Sequence, residues 1–232
     1  MEKQKYTAIV LAAGSGKRMN SKVHKQYLII QDRPVLYYSL KAFEDSVVDE
    51  IVLVVGKGEE KFCRKEIVDK YGISKVKAIV EGGKERYHSV FEGLKQTSDA
   101  DYVLIHDGAR PFVNQDIIRR CMQEVQKYQA CVVGMPVKDT IKIADEEGYA
   151  KQTPDRKNVW MIQTPQTFSY ALIYEAYEEM LKTEDTAITD DAMVLERIKG
   201  KKSKLIEGSY RNIKITTPED LLIANVYLQH PE

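Results

Sequence analysis

The chain has 232 residues, of which 43% are apolar and 30% are charged, a length and composition typical of one ordinary globular domain. Lys plus Arg number 35 and Asp plus Glu number 35, so the net charge near zero argues against a general nucleic-acid binder. No apolar stretch is long enough to span a bilayer, and no secretory leader precedes the first strand-like run. We therefore expect a cytoplasmic protein that is not embedded in a membrane.

Apolar, β-rich runs alternate with helical patterns as far as residue 137. Strands are predicted at 7–11, 51–55, 76–80, 102–105 and 131–137, and helices near 35–45, 59–71, 86–96 and 115–128. The nearly continuous apolar character of the runs is typical of strands buried on both faces of a parallel sheet. Asn114 is the expected N-cap of the last of these helices. The alternation predicts a doubly wound α/β sandwich with ligands at the carboxyl ends of its strands.

A polar segment at about 138–158 interrupts the pattern. It contains a short alternation at 140–143 and a turn near Gly148, which together predict a hairpin. Its composition fits both a surface hairpin and an arm that reaches a partner subunit. The domain then resumes with helices near 170–182 and 190–198, a strand at 212–216 and a last helix from about 218. For that last helix, Thr217 is the expected N-cap and Pro218 the first residue.

The first predicted strand continues into a small-residue loop, LAAGSGKRM, at residues 11–19. Glycine lets backbone N–H groups turn toward a polyanion, and Lys and Arg neutralise its charge. The loop is not a P-loop, because Arg18 follows the lysine and Leu11 stands where the first glycine is needed. It is not a dinucleotide fingerprint, because Met19 replaces the third glycine. A phosphate cradle, to which Lys25 adds a further cation, and a plain turn both account for these residues.

The fourth core strand ends in HDGARP at residues 106–111. Asp107 therefore lies where this fold class places its ligands. A single carboxylate there can anchor Mg²⁺, which keeps several waters and uses phosphate oxygens of the substrate, and Arg110 can grip a phosphate. The alternative is a turn aspartate that caps the next loop. His106 is expected to be a packed residue beside the acid, because no other histidine has ligand spacing.

Three later clusters are predicted to lie on polar loops: QTPQT at 163–167, ITDDA at 188–192 and RNIKIT at 211–216. Thr189 is the expected N-cap of the following helix, and the two aspartates after it are expected as acids of its first turn. Lys214 interrupts an apolar run, so its charge is expected to reach solvent, a carboxylate or a phosphate.

Taken together, these segments resemble the 2-C-methyl-D-erythritol 4-phosphate cytidylyltransferases of the non-mevalonate isoprenoid pathway. The matching stretches run in order from residue 11 to residue 221: LAAGSGKRM, KQY, GGKERYHSV, HDGARP, PVKDT, TPDR, QTPQTF, ITDDA and NIKITTPEDL. The resemblance implies a Rossmann-like nucleotidyltransferase sandwich with a mostly parallel central sheet, in which residues 1–232 form one domain. It also implies a protruding β-arm at about 138–158 that makes a homodimer, and a reaction that moves CMP from CTP to a small polyol phosphate with Mg²⁺ or another divalent cation.

The resemblance also implies roles for individual residues. The nucleotide would be lined by Ala12, Ala13, Gly14, Gly82, Gly83 and Ser89, the last three at cytosine and ribose. The catalytic cations would be Arg18, Lys25 and Lys214, with Asp107 on the metal. The acceptor phosphate would be held by Arg110, Thr140, Arg156, Thr164 and Thr189, some of them from the partner subunit. The role of Lys84 stays open.

The implied chemistry agrees with the residue types. The attacking phosphate oxygen is already an anion at neutral pH, since the second pKa of a phosphate monoester is about 6. No general base is therefore needed. Cations are needed to overcome the repulsion between two anions and to stabilise the pentavalent transition state, and Arg18, Lys25, Lys214 and Mg²⁺ would supply them.

Four other functions can be compared with the same motifs. Ribitol-5-phosphate cytidylyltransferases share most of these motifs, although ITDDA and HDGARP favour methylerythritol phosphate. Hexose-1-phosphate nucleotidyltransferases are usually longer and carry an additional glycine-rich loop. A nucleotide-binding sensor without catalysis would not need Lys25, Asp107 and Lys214 together. A nicotinamide-dependent oxidoreductase would need the missing third glycine.

Overall fold

The computed structural model describes residues 3–14, 24–183 and 187–230. Its helices are α1 (Val35–Glu44), α2 (Glu60–Cys63, continued by a π-helical stretch over Arg64–Asp69), α3 (Arg86–Leu94), α4 (Gln115–Tyr128), α5 (Tyr170–Met180), α6 (Asp191–Lys199) and α7 (Pro218–Gln229). Its strands are β1 (Tyr6–Ala12), β2 (Ile29–Ile30), β3 (Arg33–Pro34), β4 (Glu50–Val55), β5 (Val76–Glu81), β6 (Tyr102–Asp107), β7 (Ala130–Pro136), β8 (Ile143–Ala144), β9 (Ala150–Gln152), β10 (Trp160–Ser169) and β11 (Lys204–Glu207). Short 3₁₀ turns cover Lys25–Tyr27 and Arg156–Asn158.

Seven of these strands form one sheet in the order β11-β7-β10-β6-β1-β4-β5. Strand β1 pairs in parallel with β4 and β6, β4 pairs in parallel with β5, and β7 with β11. Only β10 runs antiparallel to its neighbours, β6 and β7, within this sheet. The predicted α/β class with a mostly parallel central sheet is therefore confirmed. Because parallel strands end at the same edge, the carboxyl ends of β1, β4, β5 and β6 lie side by side.

Helices cover both faces of the sheet, and each central strand supplies alternate side chains to the two faces. In β1, Ala8 and Val10 belong to the core under α1 and α4, whereas Ile9 belongs to the core under α3 and α5. All three side chains are fully buried. This double burial explains why the central strands are almost continuously apolar in sequence.

The interpretation of residues 163–167 as a loop is wrong, because these residues lie within the ten-residue strand β10. A proline inside a run of polar residues argues against a strand, since proline has no N–H for the ladder. Here the pairing with β7 shifts register between Ile162 and Gln166, and Pro165 lies inside that irregularity. Strand β10 therefore tolerates a residue without an N–H at this position. Its polar residues lie on a strand, where Gln163, Thr164 and Gln166 line a cavity at the end of the sheet.

The predicted strand at 212–216 is also wrong, and the last strand of the sheet is β11 instead. Residues 212–216 belong to none of the strands. The backbone N–H of Ile215 donates to the carbonyl of Ala109 at 2.8 Å, and its side chain packs in a small core with Ile30 and Val35. The apolar residues Ile213 and Ile215 therefore reflect packing against this small core along a segment without a hydrogen-bonded ladder.

Two of the three predicted helix caps are confirmed. Asn114 accepts a hydrogen bond from the N–H of Ile117 at 3.0 Å, and Thr217 forms a capping box ahead of Pro218. The predicted cap at Thr189 is wrong. Helix α6 begins one residue later than expected, so Asp190 is the N-cap and accepts from the N–H of Met193 at 2.9 Å.

The predicted hairpin within residues 138–158 is present, since β8 and β9 pair antiparallel. Gly148 in its turn has a φ of +89°, a conformation that glycine adopts without strain. All residues of the hairpin segment except Ile141 and Pro154 are exposed. Over the described ranges, no helix has both the length and the apolar character that a membrane span requires.

Candidate active site

A cavity of about 360 Å³ opens at the carboxyl ends of the parallel strands. It is lined by Leu11, Ala12, Ala13, Gly14, Lys25, Gln26, Gly83, Lys84, Glu85, Arg86, Ser89, Asp107, Ala109 and Lys214. These residues come from the ends of β1 and β6, from the start of α3, from the 3₁₀ turn Lys25–Tyr27 and from four loops. The lining contains cationic side chains and also backbone at two glycines, Gly14 and Gly83. A site for a phosphorylated ligand needs both features.

A second cavity of about 150 Å³ adjoins the first. It is lined by Arg86, Asp107, Arg110, Ile162, Gln163, Thr164, Gln166, Thr189, Asp190 and Lys214. Three residues, Arg86, Asp107 and Lys214, line both cavities. The two cavities therefore meet at a charged junction formed by one carboxylate and two cations.

The glycines of the GGKERYHSV segment allow the loop after β5 to approach the loop after β1 closely. A Cβ atom at Gly82 would lie 2.5 Å from the Cβ of Ala13 and 2.7 Å from the Oγ of Ser89. The N–H of Gly83 donates to the same Ser89 Oγ at 3.1 Å. The structure thus brings these predicted residues together beside the larger cavity, which Ala13, Gly83 and Ser89 line.

Lys25 reaches the larger cavity from the 3₁₀ turn Lys25–Tyr27. Buried Gln26 anchors that turn, because its side-chain amide donates to the carbonyl of Ala12 at the end of β1. The Lys25 Nζ donates to the carbonyl of Ile215 at 3.0 Å. The predicted residue Arg18 lies outside the described residues.

Asp107, the last residue of β6, is surrounded by three cations. Its carboxylate lies 2.8 Å from Lys214 Nζ, 3.5 Å from Arg86 Nε and 3.6 Å from Arg110 Nε. Burial alone raises the pKa of this carboxyl, but the charges of Lys214, Arg86 and Arg110 outweigh burial and hold the pKa below its usual range. Asp107 is therefore ionised at neutral pH, and its negative charge attracts the three cations of the junction.

His106 is a packed residue, as the sequence predicted. It is fully buried, and its Nε2 lies 3.2 Å from the carbonyl of Arg110 and its Nδ1 3.0 Å from the hydroxyl of Thr164. Because a carbonyl only accepts, Nε2 carries the proton and Nδ1 accepts from Thr164. Burial lowers the pKa of His106 to about 4, so the ring is neutral at neutral pH. Its role is to hold the strand end that carries Asp107.

This pKa predicts a loss of stability in acid. In the unfolded chain His106 has a pKa of 6.5 and is protonated below that pH. In the folded chain the same ring is protonated only below about pH 4, so between these pH values protonation favours the unfolded chain. We expect His106 to make the folded state about 2–3 kcal/mol less stable at pH 4.5 than at pH 7. Urea unfolding of the wild type and of His106→Gln at both pH values measures this difference. Equal pH dependence of the two proteins would contradict it.

The predicted acceptor residues fall into two groups. Arg110, Thr164 and Thr189 line the smaller cavity. Thr140 and Arg156 are exposed on the hairpin segment and line neither of the two cavities, and Arg156 donates to the carbonyl of Lys138 in its own chain at 2.9 Å. Within one described chain, three of the five predicted acceptor-binding residues therefore line the same cavity.

Sequence reasoning missed an ion pair at the back of the junction. Arg86 makes two hydrogen bonds to Asp191, at 2.8 and 2.7 Å. Asp191 was expected only as an acid of the first helical turn, yet its side chain is fully buried. The Oε1 of Gln166 also accepts from the backbone N–H groups of Asp191 and Ala192, each at 3.0 Å. The GGKERYHSV and ITDDA stretches contain these residues, but only the fold shows that they meet.

Comparison with known proteins identifies close relatives of this architecture and sequence. The family model described as IspD, 2-C-methyl-D-erythritol 4-phosphate cytidylyltransferase, matches residues 6–230. Proteins of that name from Lachnoclostridium phytofermentans and Lachnospira eligens are 51% and 54% identical, over 97% and 96% of this chain and 97% and 99% of theirs. The crystal structure of a 4-diphosphocytidyl-2C-methyl-D-erythritol synthase from Anaerococcus prevotii superposes with a TM-score of 0.86 at 38% identity, covering 98% of this chain and 97% of that one. The cytidylyltransferase of Thermus thermophilus gives 0.77 at 30% identity, covering 95% and 98%.

Proposed function

Because the chain belongs to the 2-C-methyl-D-erythritol 4-phosphate cytidylyltransferase family, we propose that its larger cavity binds CTP and its smaller cavity the phosphate of the acceptor. The enzyme transfers CMP from CTP to 2-C-methyl-D-erythritol 4-phosphate in isoprenoid biosynthesis. The observation that carries the two-cavity assignment is their shared junction at Asp107 and Lys214. A transfer between two phosphates requires that the attacking oxygen and the α-phosphorus meet, and adjoining cavities allow this.

The nucleotide end of the larger cavity is proposed at the wall made by Ala12, Ala13, Gly14, Gly82, Gly83 and Ser89. The loop backbone and the Ser89 hydroxyl there would provide the directed polar contacts that a base and a ribose need. The small side chains keep the wall open for a flat ring. Lys84 lines the same cavity and is exposed.

The transfer itself is an in-line displacement. An oxygen of the acceptor phosphate, held by Arg110, Thr164 and Thr189, attacks the α-phosphorus of CTP. The new P–O bond forms as the bond to the β-phosphate oxygen breaks, and pyrophosphate leaves with that electron pair. Because the attacking oxygen is already an anion, no proton has to be removed.

Cations of this chain stabilise the charge that accumulates during the displacement. We place Lys25 and Lys214 at the α-phosphate and Arg18 on the outer CTP phosphates. Lys214 is held at the junction by Asp107 at 2.8 Å, and Lys25 by the Ile215 carbonyl at 3.0 Å. Charges held in place before the reaction cost no reorganisation when negative charge develops, and this makes them effective.

The donor set at the junction fits a magnesium ion that is bound chiefly by substrate. Among the described residues no group of three His, Cys, Asp or Glu side chains forms a ready-made metal site. Mg²⁺ commonly uses one carboxylate and fills its other positions with waters and phosphate oxygens, so Asp107 suffices. The bound ion would neutralise phosphate charge beside Lys214, which Asp107 already holds at the junction.

We further propose that residues 1–232 act as one domain and as a homodimer in the cytoplasm, where CTP is available. The hairpin segment 138–158 would contact the partner subunit and bring Thr140 and Arg156 to the partner's acceptor cavity. Two features of the described chain support this. Both residues are exposed and outside their own cavities, and large apolar side chains of the hairpin and of β10 are exposed, among them Ile143, Tyr149 and Met161.

Pyrophosphate release tests the function directly. With CTP, Mg²⁺ and purified enzyme, we expect rapid release with 2-C-methyl-D-erythritol 4-phosphate and much less with ribitol 5-phosphate at the same concentration. Omission of the divalent cation should abolish release. Faster turnover of ribitol 5-phosphate would reject the assigned acceptor, and undiminished release in EDTA would reject the metal requirement.

A further inference from the structure

Arg86 is the one residue shared by both cavities for which neither the resemblance nor the mechanism above supplies a role. It is the first residue of α3, and its side chain lines the larger and the smaller cavity. Its Nε lies 3.5 Å from Asp107, on the opposite carboxylate oxygen from the one that Lys214 contacts. Arg86 therefore lies where the two substrate phosphates have to meet.

A buried carboxylate fixes the orientation of this guanidinium. Asp191 accepts from Arg86 Nη1 at 2.8 Å and from Nη2 at 2.7 Å, and its Oδ1 also accepts from the hydroxyl of Tyr177 at 2.6 Å. Both Asp191 and Tyr177 are fully buried. Gln166 holds the backbone of Asp191 in turn. The planar fork of an arginine paired in this way has little freedom to rotate.

The arrangement leaves part of the guanidinium for a ligand. Two of the five N–H groups bond to Asp191, and the others include the Nε–H that faces Asp107. The Arg86 side chain remains 29% exposed, although its partner Asp191 is not exposed at all. In the ion pairs at this point three cations, Arg86, Arg110 and Lys214, contact two carboxylates, Asp107 and Asp191, and the smaller cavity is also lined by Asp190.

Stability alone does not account for such an ion pair. Burial of two charged groups carries a desolvation penalty that their attraction often only matches, and an apolar pair of similar size is frequently as stable. A structural link between α3 and α6 therefore does not require an arginine and an aspartate. A preorganised donor for a phosphate does require a guanidinium that is held firmly and left open on one side.

We propose that Arg86 is a catalytic residue that binds the acceptor phosphate and the α-phosphate where they meet, and that Asp191 and Tyr177 are positioning residues that aim it. The proposal rests on the two-cavity assignment above. Arg86 would bring the attacking oxygen in line with the α-phosphorus and would share the charge of the transition state with Lys25 and Lys214. It exchanges no proton, since its guanidinium stays charged throughout.

Substitution of Arg86 tests the contact. We expect Arg86→Ala to lower kcat about ten- to a hundredfold, the effect of losing a charge-assisted hydrogen bond in the transition state. Arg86→Lys should recover only part of it, because an ammonium keeps the charge but cannot bond Asp191 with two nitrogens. Arg119→Ala, which removes an exposed arginine that pairs with Asp116 on α4, is the matched control and should leave kcat unchanged. A wild-type kcat in folded Arg86→Ala would overturn the proposal.

Double substitution separates positioning from a merely structural role. Asp191→Asn and the milder Tyr177→Phe should each lower kcat with little change in the CTP Michaelis constant. Combined with Arg86→Ala, neither should lower kcat further, because each acts through Arg86. Additive losses, or losses of melting temperature without loss of kcat, would overturn the positioning role. Activity of the wild type with methylerythritol phosphate in the same assay keeps these outcomes separate from a failure of the proposed function.

Discussion

Replacement of Lys25 by alanine is expected to lower kcat by about a hundred- to a thousandfold while raising the CTP Michaelis constant much less. Cytosine, ribose and the outer phosphates have other proposed partners at the glycine-lined wall and at Arg18. Lys25 is instead proposed to face the point where negative charge builds on the α-phosphate oxygens as the fifth bond forms. Its Nζ is already held by the Ile215 carbonyl, so the charge is in place before the reaction. Steady-state kinetics with CTP varied at saturating acceptor measures both constants.

Two further variants define what Lys25 contributes. Lys25→Gln keeps the length and a neutral donor and should recover little, because the charge is what stabilises the transition state. Lys127→Ala removes an exposed lysine that pairs with Glu124 on α4 and should behave as the wild type. An unchanged kcat with a large rise in the CTP Michaelis constant would make Lys25 a ground-state anchor and leave Lys214 and the metal as the main stabilisers.

Mixing two inactive variants is expected to restore activity if Arg156 acts in the partner's site. Arg156→Ala and Lys25→Ala are each defective in every site of their own homodimers. In a mixed dimer, one site receives the native Lys25 and the native Arg156, and the other receives neither. Random exchange of equal amounts makes about half of the dimers mixed and about a quarter of all sites intact, so activity should rise from near zero to about a quarter of the wild-type value.

The complementation needs its own control. Each variant mixed with itself under the same exchange conditions should gain nothing, and differently tagged subunits report how far exchange has proceeded. Absence of recovery despite measured exchange would place Arg156 in its own subunit's site or outside catalysis. The exposed position of Arg156 and its bond to the Lys138 carbonyl would then describe a purely local role.

The central sheet was predictable because its strands are buried on both faces. Residues such as Ile9 and Val10 are apolar in succession, and a strand with that property has few alternatives to the interior of a parallel sheet. The location of Asp107 followed from the same logic, since strand ends of this fold class carry the ligands. Local signals also sufficed for Asn114 and Thr217, whose caps depend on neighbours only three residues away.

The remaining features depend on contacts between distant parts of the chain. The Arg86–Asp191 pair joins residues 105 positions apart, and no local pattern distinguishes a buried aspartate from a first-turn acid. Strand β10 is polar because several of its side chains line the smaller cavity, so it lacks the apolar periodicity by which strands are recognised in a sequence. The charge of Lys214 was predicted to reach solvent, a carboxylate or a phosphate, and only the fold identifies the carboxylate of Asp107 as its partner.

The segment at residues 212–216 affects the order in which the sheet and the candidate site form during translation. Its Ile215 carbonyl holds a lysine that is translated 190 residues earlier, and its Lys214 completes a cluster begun at Asp107. On the ribosome, six strands of the sheet emerge before α5, so most of the scaffold can assemble while this segment is still in the exit tunnel. The nascent chain would thus form most of its sheet before the contacts at Lys25 and Asp107 can form. A nascent chain without residues 212–216 would lack Lys214 and the carbonyl that holds Lys25.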